Sequence, residues 1–357
     1  MAEYDIKLDK NVQRKVLSLA EGSSKKLRKV FKNSLNITDE KLSIISDYGF
    51  GNKISAPSLA YSYYFAAQDL GLDSSILLQK PRGRAQEISP PILNNLKTLP
   101  KNSSIMQCVS NRLGTLNGLG KSFRKYCAAR GHRFTSSSSL GNIYQKDFSS
   151  LIDAHDYNYK SMKKKQERLK KKLDVAKEVQ ITTKAGTDLF FGIDKSKAVF
   201  NHGIYDTYGK GGNLPAGEIY IPINRRSAFG KLVVDGSSRQ KDTTVLCKKP
   251  LNIYFNNGVA QKITGGKEAE GLKSTYKWAE SRAKYPWGIK MAAELGIGLN
   301  DKAKVIGATI LDEKAKGTAH IATGSNYWFG GDIKAIIHLD QVFRNPIIKL
   351  DGKKLNV

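Results

Sequence analysis

Apolar residues recur at helical spacing over 11–35, where Val12, Val16, Leu19, Leu27, Val30 and Phe31 share a face and Gly22-Ser23-Ser24 marks the point where the helix would break. Leu42 to Ser46 is a short apolar run of strand length, followed by a glycine-rich turn at 49–51. Pro57 opens a second helical pattern through Ala60, Tyr64, Ala67 and Leu70, which Gly71 closes. Ser75 to Leu78 reads as a buried strand. The alternation then repeats: strand over 104–110, helix from about 119 to 130 ending at Gly131, strand over 133–138. Strands alternating with helices predict a parallel, doubly wound sheet. The texture changes at 156–176, a lysine-rich helical stretch with few apolar positions, and again at Val179-Gln180-Ile181-Thr182-Thr183, which alternates as a half-buried strand. Short β segments between glycine-rich turns continue to about 265, a helix is predicted over 267–294, and strand and loop material follows. The expected fold class is α/β: an N-terminal doubly wound α/β domain (1–155), a basic helical connector (156–178) and an α+β catalytic domain (179–357). No internal repeat is evident.

The length of 357 residues agrees with two domains. No apolar stretch approaches the ~18–20 residues that span a bilayer. The start, Met1-Ala2-Glu3-Tyr4-Asp5, is acidic, is followed by lysines and has no apolar core, so a cytoplasmic protein without membrane contact is expected. Cys108, Cys127 and Cys247 are odd in number and far apart, which argues against a disulfide framework and a zinc knuckle. The net charge of +27 favours polyanionic partners. Lysine is spread over the whole chain, however, including turns such as Cys247-Lys248-Lys249-Pro250. The charge of 162–172 is therefore read as a solvated face, with nucleic-acid binding as the less favoured alternative.

Gly118-Leu119-Gly120-Lys121-Ser122 imitates a phosphate-binding loop, but the full pattern requires glycine at 115, which is Thr115. It is read as a turn and a helix start. Among five histidines, His320 and the His338-Leu339-Asp340 triplet lie close together. On a strand, residues i and i+2 share a face, so His338 and Asp340 would present an imidazole and a carboxylate to one point, as a divalent metal requires. Two glutamates add to this. Glu218 follows Asn213-Leu214-Pro215-Ala216-Gly217 at the start of the strand Ile219-Tyr220-Ile221, and Glu294 lies among small apolar neighbours, Ala292-Ala293 and Leu295-Gly296-Ile297-Gly298. A carboxylate in such surroundings needs a cation or a hydrogen bond to stay ionised. The bland readings are a hydrogen-bonded surface pair for His338 and Asp340 and a helix-end residue in water for Glu294.

The stretches Asn213–Glu218, Val234-Asp235-Gly236-Ser237, Glu294–Asn300, Asp312–Gly324 and His338-Leu339-Asp340 together resemble the thermophilic-type metallo-aminopeptidases, the family of aminopeptidase T, aminopeptidase S and PepS, in a compact branch. The resemblance implies two divalent ions, zinc, cobalt or manganese, held by Glu218, Glu294, His320, Tyr327, His338 and Asp340. Glu294 and Tyr327 would also serve catalysis, and Asp312 or Glu313 would hold a substrate's free α-amino group. Peptides with a free N-terminus would be the substrates and a homodimer the assembly. The same scaffold serves 2,5-dihydroxypyridine dioxygenases, which hold one iron through two histidines and an aspartate and carry histidine where this chain has Glu294. Glutamate there favours the hydrolase. A mononuclear iron dioxygenase, or a basic nucleic-acid-binding protein with a vestigial hydrolase half, are the alternatives.

Overall fold

The computed structural model describes residues 9–83, 85–120 and 122–357. Met1-Ala2-Glu3-Tyr4-Asp5 and Lys121, both read above, lie outside the described residues. The chain begins with α1 (Lys10–Val30), then alternates β1 (Leu42–Asp47), α2 (Ser55–Gln68), β2 (Ser74–Gln79), α3 (Pro90–Thr98), β3 (Ser104–Cys108), α4 (Phe123–Arg130) and β4 (Arg133–Ser137). After α5 (Phe148–Asp153) and α6 (Tyr159–Leu173) strands dominate: β5 (Glu178–Thr182), β6 (Asp188–Gly192), β7 (Val199–Asn201), β8 (Gly211–Asn213), β9 (Glu218–Pro222), β10 (Phe229–Val234), β11 (Ser237–Arg239), β12 (Thr244–Leu246), β13 (Leu251–Asn256) and β14 (Val259–Thr264). The last part holds α7 (Lys267–Glu280), β15 (Ala292–Gly298), α8 (Thr309–Asp312), β16 (Thr318–Gly324), β17 (His338–Arg344), β18 (Ile347–Leu350) and β19 (Lys353–Lys354).

Two compact units result. One runs to Tyr159 and takes in Gly203–Ala216; the other comprises Lys160–His202 and Gly217–Val357. The first is a parallel sheet in the order β2-β1-β3-β4-β8. β1 and β3 are buried along their whole length, as strands covered on both faces must be. α1 turns Val16, Ala20, Leu27 and Val30 inward, and the side chain of Asp9 accepts from the Asn11 N–H at its start. The α/β class and the doubly wound layout expected from the alternation are what the structure has. The helical pattern missed at 90–98 begins on Pro90-Pro91, which is allowed because the first turn of a helix leaves its N–H groups unpaired anyway.

The second unit carries two antiparallel sheets, in the orders β14-β13-β10-β6-β5-β18-β19 and β12-β11-β17-β16-β15-β9-β7. The basic helix α6 begins it. The helix expected over 267–294 is corrected: α7 stops at Glu280, a 3-10 turn at Pro286–Gly288 follows, and Ala292–Gly298 is strand β15. β15 is buried at every position, so it shows no alternation, and its small residues imitate a helix. Among the described residues no helix is long and apolar enough to cross a membrane.

Candidate metal centre

The register of the second antiparallel sheet sets the site. Gly298 pairs with Glu218, Gly296 with His320, Ala322 with Asp340 and Gly324 with His338. Since side chains alternate across a sheet, Glu218, His320, His338 and Asp340 project from the same face. Glu294 joins them by the same alternation, two residues before Gly296 and paired with Ala322, and a β-bulge lies just before it. Ala292 pairs with Thr323 but Glu294 with Ala322, so one extra residue, Ala293, is taken up between them. The bulge shifts the pairing of Ala292 and leaves the register from Glu294 to Gly298 unbroken on both sides. The bulge is held: the Ala293 carbonyl accepts from the Ile223 N–H at 2.9 Å and from Asn326 Nδ2 at 3.0 Å.

Four side chains converge. His320 Nε2 lies 3.1 Å from Glu294 Oε1 and 3.9 Å from Asp340 Oδ1. His338 Nε2 lies 3.4 Å from Glu294 Oε2 and 3.2 Å from Asp340 Oδ1. Ligand atoms of Glu294, His320 and Asp340 all fall within 4.8 Å of one another. His338 Nδ1 is 2.7 Å from the Ser325 carbonyl, which holds the proton on that nitrogen and turns Nε2 toward the cluster. Gly296 makes room for the other ring: a Cβ there would lie 2.0 Å from Cε1 and 2.2 Å from Nε2 of His320. His320 is fully buried and His338 is 20% exposed, so the cluster opens on the His338 side. There Trp328 stands edge-on to His338 at 4.8 Å, backed by Phe329 and then Tyr220.

The electrostatics are those of a cation site. Burial alone would push the His320 pKa down, but the hydrogen bond to Glu294 and the charges of Asp340, Glu294 and Glu218 hold it at about 9. Burial is overcome in the same way at His338, which Asp340 and Glu294 hold at about 10. Burial would raise Asp340, yet the charge and hydrogen bond of His338, with His320 and Arg239, keep it well below the usual carboxylate range.

Two expected ligands stand apart. Glu218 Oε1 is 3.2 Å from Nζ of Lys314, a fully buried ammonium that also pairs with Glu313. Tyr327 is 58% exposed and the Lys334 ammonium lies over its ring at 4.2 Å. Asp312 is buried and accepts from the N–H groups of Ile306 and Gly307, with burial pushing its carboxyl up to about 7. Sequence reasoning missed the bulge at Ala293, the space at Gly296, the aromatic rim at Trp328 and the buried Lys314. Gly296 sits in the motif read for its glutamate, and its lack of a side chain was the available clue.

Comparison with known proteins bears on the chemistry. The family model described as NicX: 2,5-dihydroxypyridine 5,6-dioxygenase matches residues 155–356. The 2,5-dihydroxypyridine 5,6-dioxygenase of Pseudomonas putida is 29% identical over 188 residues, 51% of this chain and 53% of that protein. The chain thus spans about half the length of this curated relative. The solved structure of 2,5-dihydroxypyridine dioxygenase from Pseudomonas putida is similar with a TM-score of 0.66 and 19% identity, covering 96% of this chain and 95% of that one. Wild-type AmpT from Thermus thermophilus is similar with a TM-score of 0.62 and 13% identity, covering 96% and 97%. At these identities the two structures speak for the fold alone.

The expected scaffold therefore stands, and the expected activity does not. The reading as a peptide-hydrolysing metallo-aminopeptidase is overturned by the family match and the curated relative, both of them dioxygenases. With it falls the pair of zinc, cobalt or manganese ions. The geometry gives the physical reason. Two ions need two converging donor sets, and only one converges among the described residues: the Glu218 carboxylate is engaged by Lys314 and Tyr327 faces solvent. The glutamate at 294, taken as favouring the hydrolase, lies within reach of both imidazoles of that one set.

Proposed function

Because the chain belongs to the 2,5-dihydroxypyridine 5,6-dioxygenase family, we propose that it is a mononuclear iron dioxygenase that opens the ring of a hydroxylated, nitrogen-containing aromatic substrate. The observation that carries this reading is the donor set of His320, His338, Asp340 and Glu294 around one point. Two imidazoles and a carboxylate with open positions suit non-haem iron(II) oxygenases. Histidine is expected at 294 in the dioxygenases of this scaffold. Here His320 makes up the second imidazole, and Glu294 is a fourth donor.

Iron(II), when bound, supplies the electron transfer that lets dioxygen react with a closed-shell aromatic ring. The chain's own residues do the rest. His320 and His338 would hold the ion as neutral imidazoles, and the Ser325 carbonyl keeps the His338 proton on Nδ1. The sheet beneath fixes the donors, because β15, β16 and β17 lie inside it and not at its edges. Trp328 and Phe329 give the open side an aromatic wall, against which a flat ring packs edge-on or stacked.

The test is direct. Protein loaded with iron(II) under nitrogen is mixed with 2,5-dihydroxypyridine and oxygenated buffer. One dioxygen consumed per ring lost, with both atoms of labelled dioxygen in the product, is expected. A protein that binds one iron per chain and consumes no oxygen with this or related hydroxypyridines would sink the reading.

A further inference from the structure

The strongest unexplained feature is the buried charge chain Glu218–Lys314–Glu313. Lys314 connects α8 to β16, and its side chain is fully buried. Its Nζ stands 3.2 Å from Glu218 Oε1 and pairs on its other side with Glu313 Oε1. An apolar trio would fill this space at least as well, since buried ion pairs rarely gain stability over hydrophobic residues of similar volume. The three groups carry one positive and two negative charges, so the ammonium cannot neutralise both carboxylates.

The carboxylates are not equivalent. The Glu218 side chain is 7% exposed and Glu313 is 13% exposed, which makes Glu313 the accessible end. The charged groups that face Glu313 are Glu218 on β9, Lys314 beside it, Asp340 on β17 and His320 on β16. Glu313 therefore shares the field of two of the converging donors without touching them. The carboxylates of Glu294 and Asp340 are committed to the imidazoles, and Glu218 is the less accessible partner of the ammonium.

We propose that Glu313 is the base that takes the proton of a substrate hydroxyl, and that Lys314, braced from behind by Glu218, is the positioning residue that aims it. This rests on the dioxygenase reading. In the step, the substrate O–H bond breaks, its proton passes to a Glu313 carboxylate oxygen, and the electron pair stays on the substrate oxygen. Lys314 keeps its protons, because burial, which lowers an ammonium, is outweighed there by Glu218 and Glu313. Burial, then the charge of Glu218, raises the Glu313 carboxyl to about 8 against the pull of Lys314, which matches it to a phenolic hydroxyl.

The experiment uses 4-nitrocatechol, whose absorption distinguishes its bound monoanion from its dianion, with iron(II)-loaded protein under nitrogen at pH 9, above the Glu313 carboxyl's value of about 8. The wild type is expected to bind the dianion. Glu313→Gln is expected to bind the monoanion at unchanged iron stoichiometry. Its kcat/KM for ring cleavage should fall ~100-fold or more, and the limb near pH 8 should disappear from its pH profile. Should the Gln variant lose its circular dichroism, Glu313→Asp, which keeps the charge beside Lys314 but withdraws the carboxyl, carries the same test. A variant that binds the dianion with the wild-type pH profile overturns the proposal alone. A wild type that holds iron and binds no probe overturns the dioxygenase reading and the proposal with it.

Discussion

A methyl group at position 296 would overlap the His320 ring, at 2.0 Å from Cε1. The backbone is ordinary there, so Gly296→Ala costs space and not strain. The expected outcome is an expelled imidazole: iron falls well below one per chain, while overpacking takes about 1–3 kcal/mol from stability. Metal analysis beside a urea melt checks both, and full iron occupancy would show that the ring is not held where the cross-strand pairing puts it. The imidazoles also predict a pH dependence. Their pKa values of about 9 and 10 lie above the ordinary 6.5, so the metal-free folded chain holds protons that the unfolded chain lacks. That stabilisation is complete below pH 6.5 and is lost as pH rises through 9 and 10. Thermal melts of metal-free protein from pH 7 to 10 should show the decline. Iron binding requires both nitrogens free, so loading at pH 7.5 should release about two protons per ion into weakly buffered dye solution. Release of fewer than one would mean that the imidazoles are already neutral.

The bulge at Ala293 and the turn that covers it act as one element. Asn326 is fully buried; its Nδ2 donates to the Ala293 carbonyl and its Oδ1 accepts from the Ile333 N–H at 2.8 Å. Asn326→Ala leaves the Ile333 N–H unpaired and removes one of the two donors to the Ala293 carbonyl, which should cost about 1–3 kcal/mol. The same change loosens the bulge that abuts Glu294, so iron affinity should fall ~10-fold or more, as it does when groups supporting metal ligands are removed. Denaturant melts with and without iron separate the two effects; equal losses in both would confine Asn326 to stability. How much of this could be read in advance follows from what each element hides. The strands β1 and β3 stood out because turns bound short apolar runs. His338 and Asp340 were legible because period two puts i and i+2 on one face whatever the sheet does. Glu294 was found as a residue and misplaced as an element, since a strand buried on both faces has no alternation. The number of ions was not legible at all: it depends on Lys314 reaching Glu218, a pairing between residues far apart in the chain.

At the scale of the molecule, the charge of +27 remains. We propose that the lysines of α6 are a solvated face, since they recur throughout the chain and not on this helix alone. Replacing Lys163, Lys164, Lys171 and Lys172 with glutamine should then shift stability by about 0.5 kcal/mol or less per site. Binding to duplex DNA should be weaker than about micromolar at physiological salt and fall steeply as salt rises. Tight binding that persists at that salt and disappears in the glutamine variant would make the helix a nucleic-acid contact.

The parallel sheet closes with β8, a strand that the chain reaches only after passing through α6 and β5 to β7. Vectorial synthesis gives this order a cost. When Ser137 leaves the ribosome, the nascent sheet ends on β4, with its row of N–H and C=O groups open. The edge stays unpaired until Asn213 emerges. An open edge is a template for any strand nearby, and on a polysome the nearest strand is the same one on the next nascent chain. The interval between those two residues is therefore when this protein is most apt to pair with its own siblings, and a chaperone that guards it would act on a growing chain and not on a finished one.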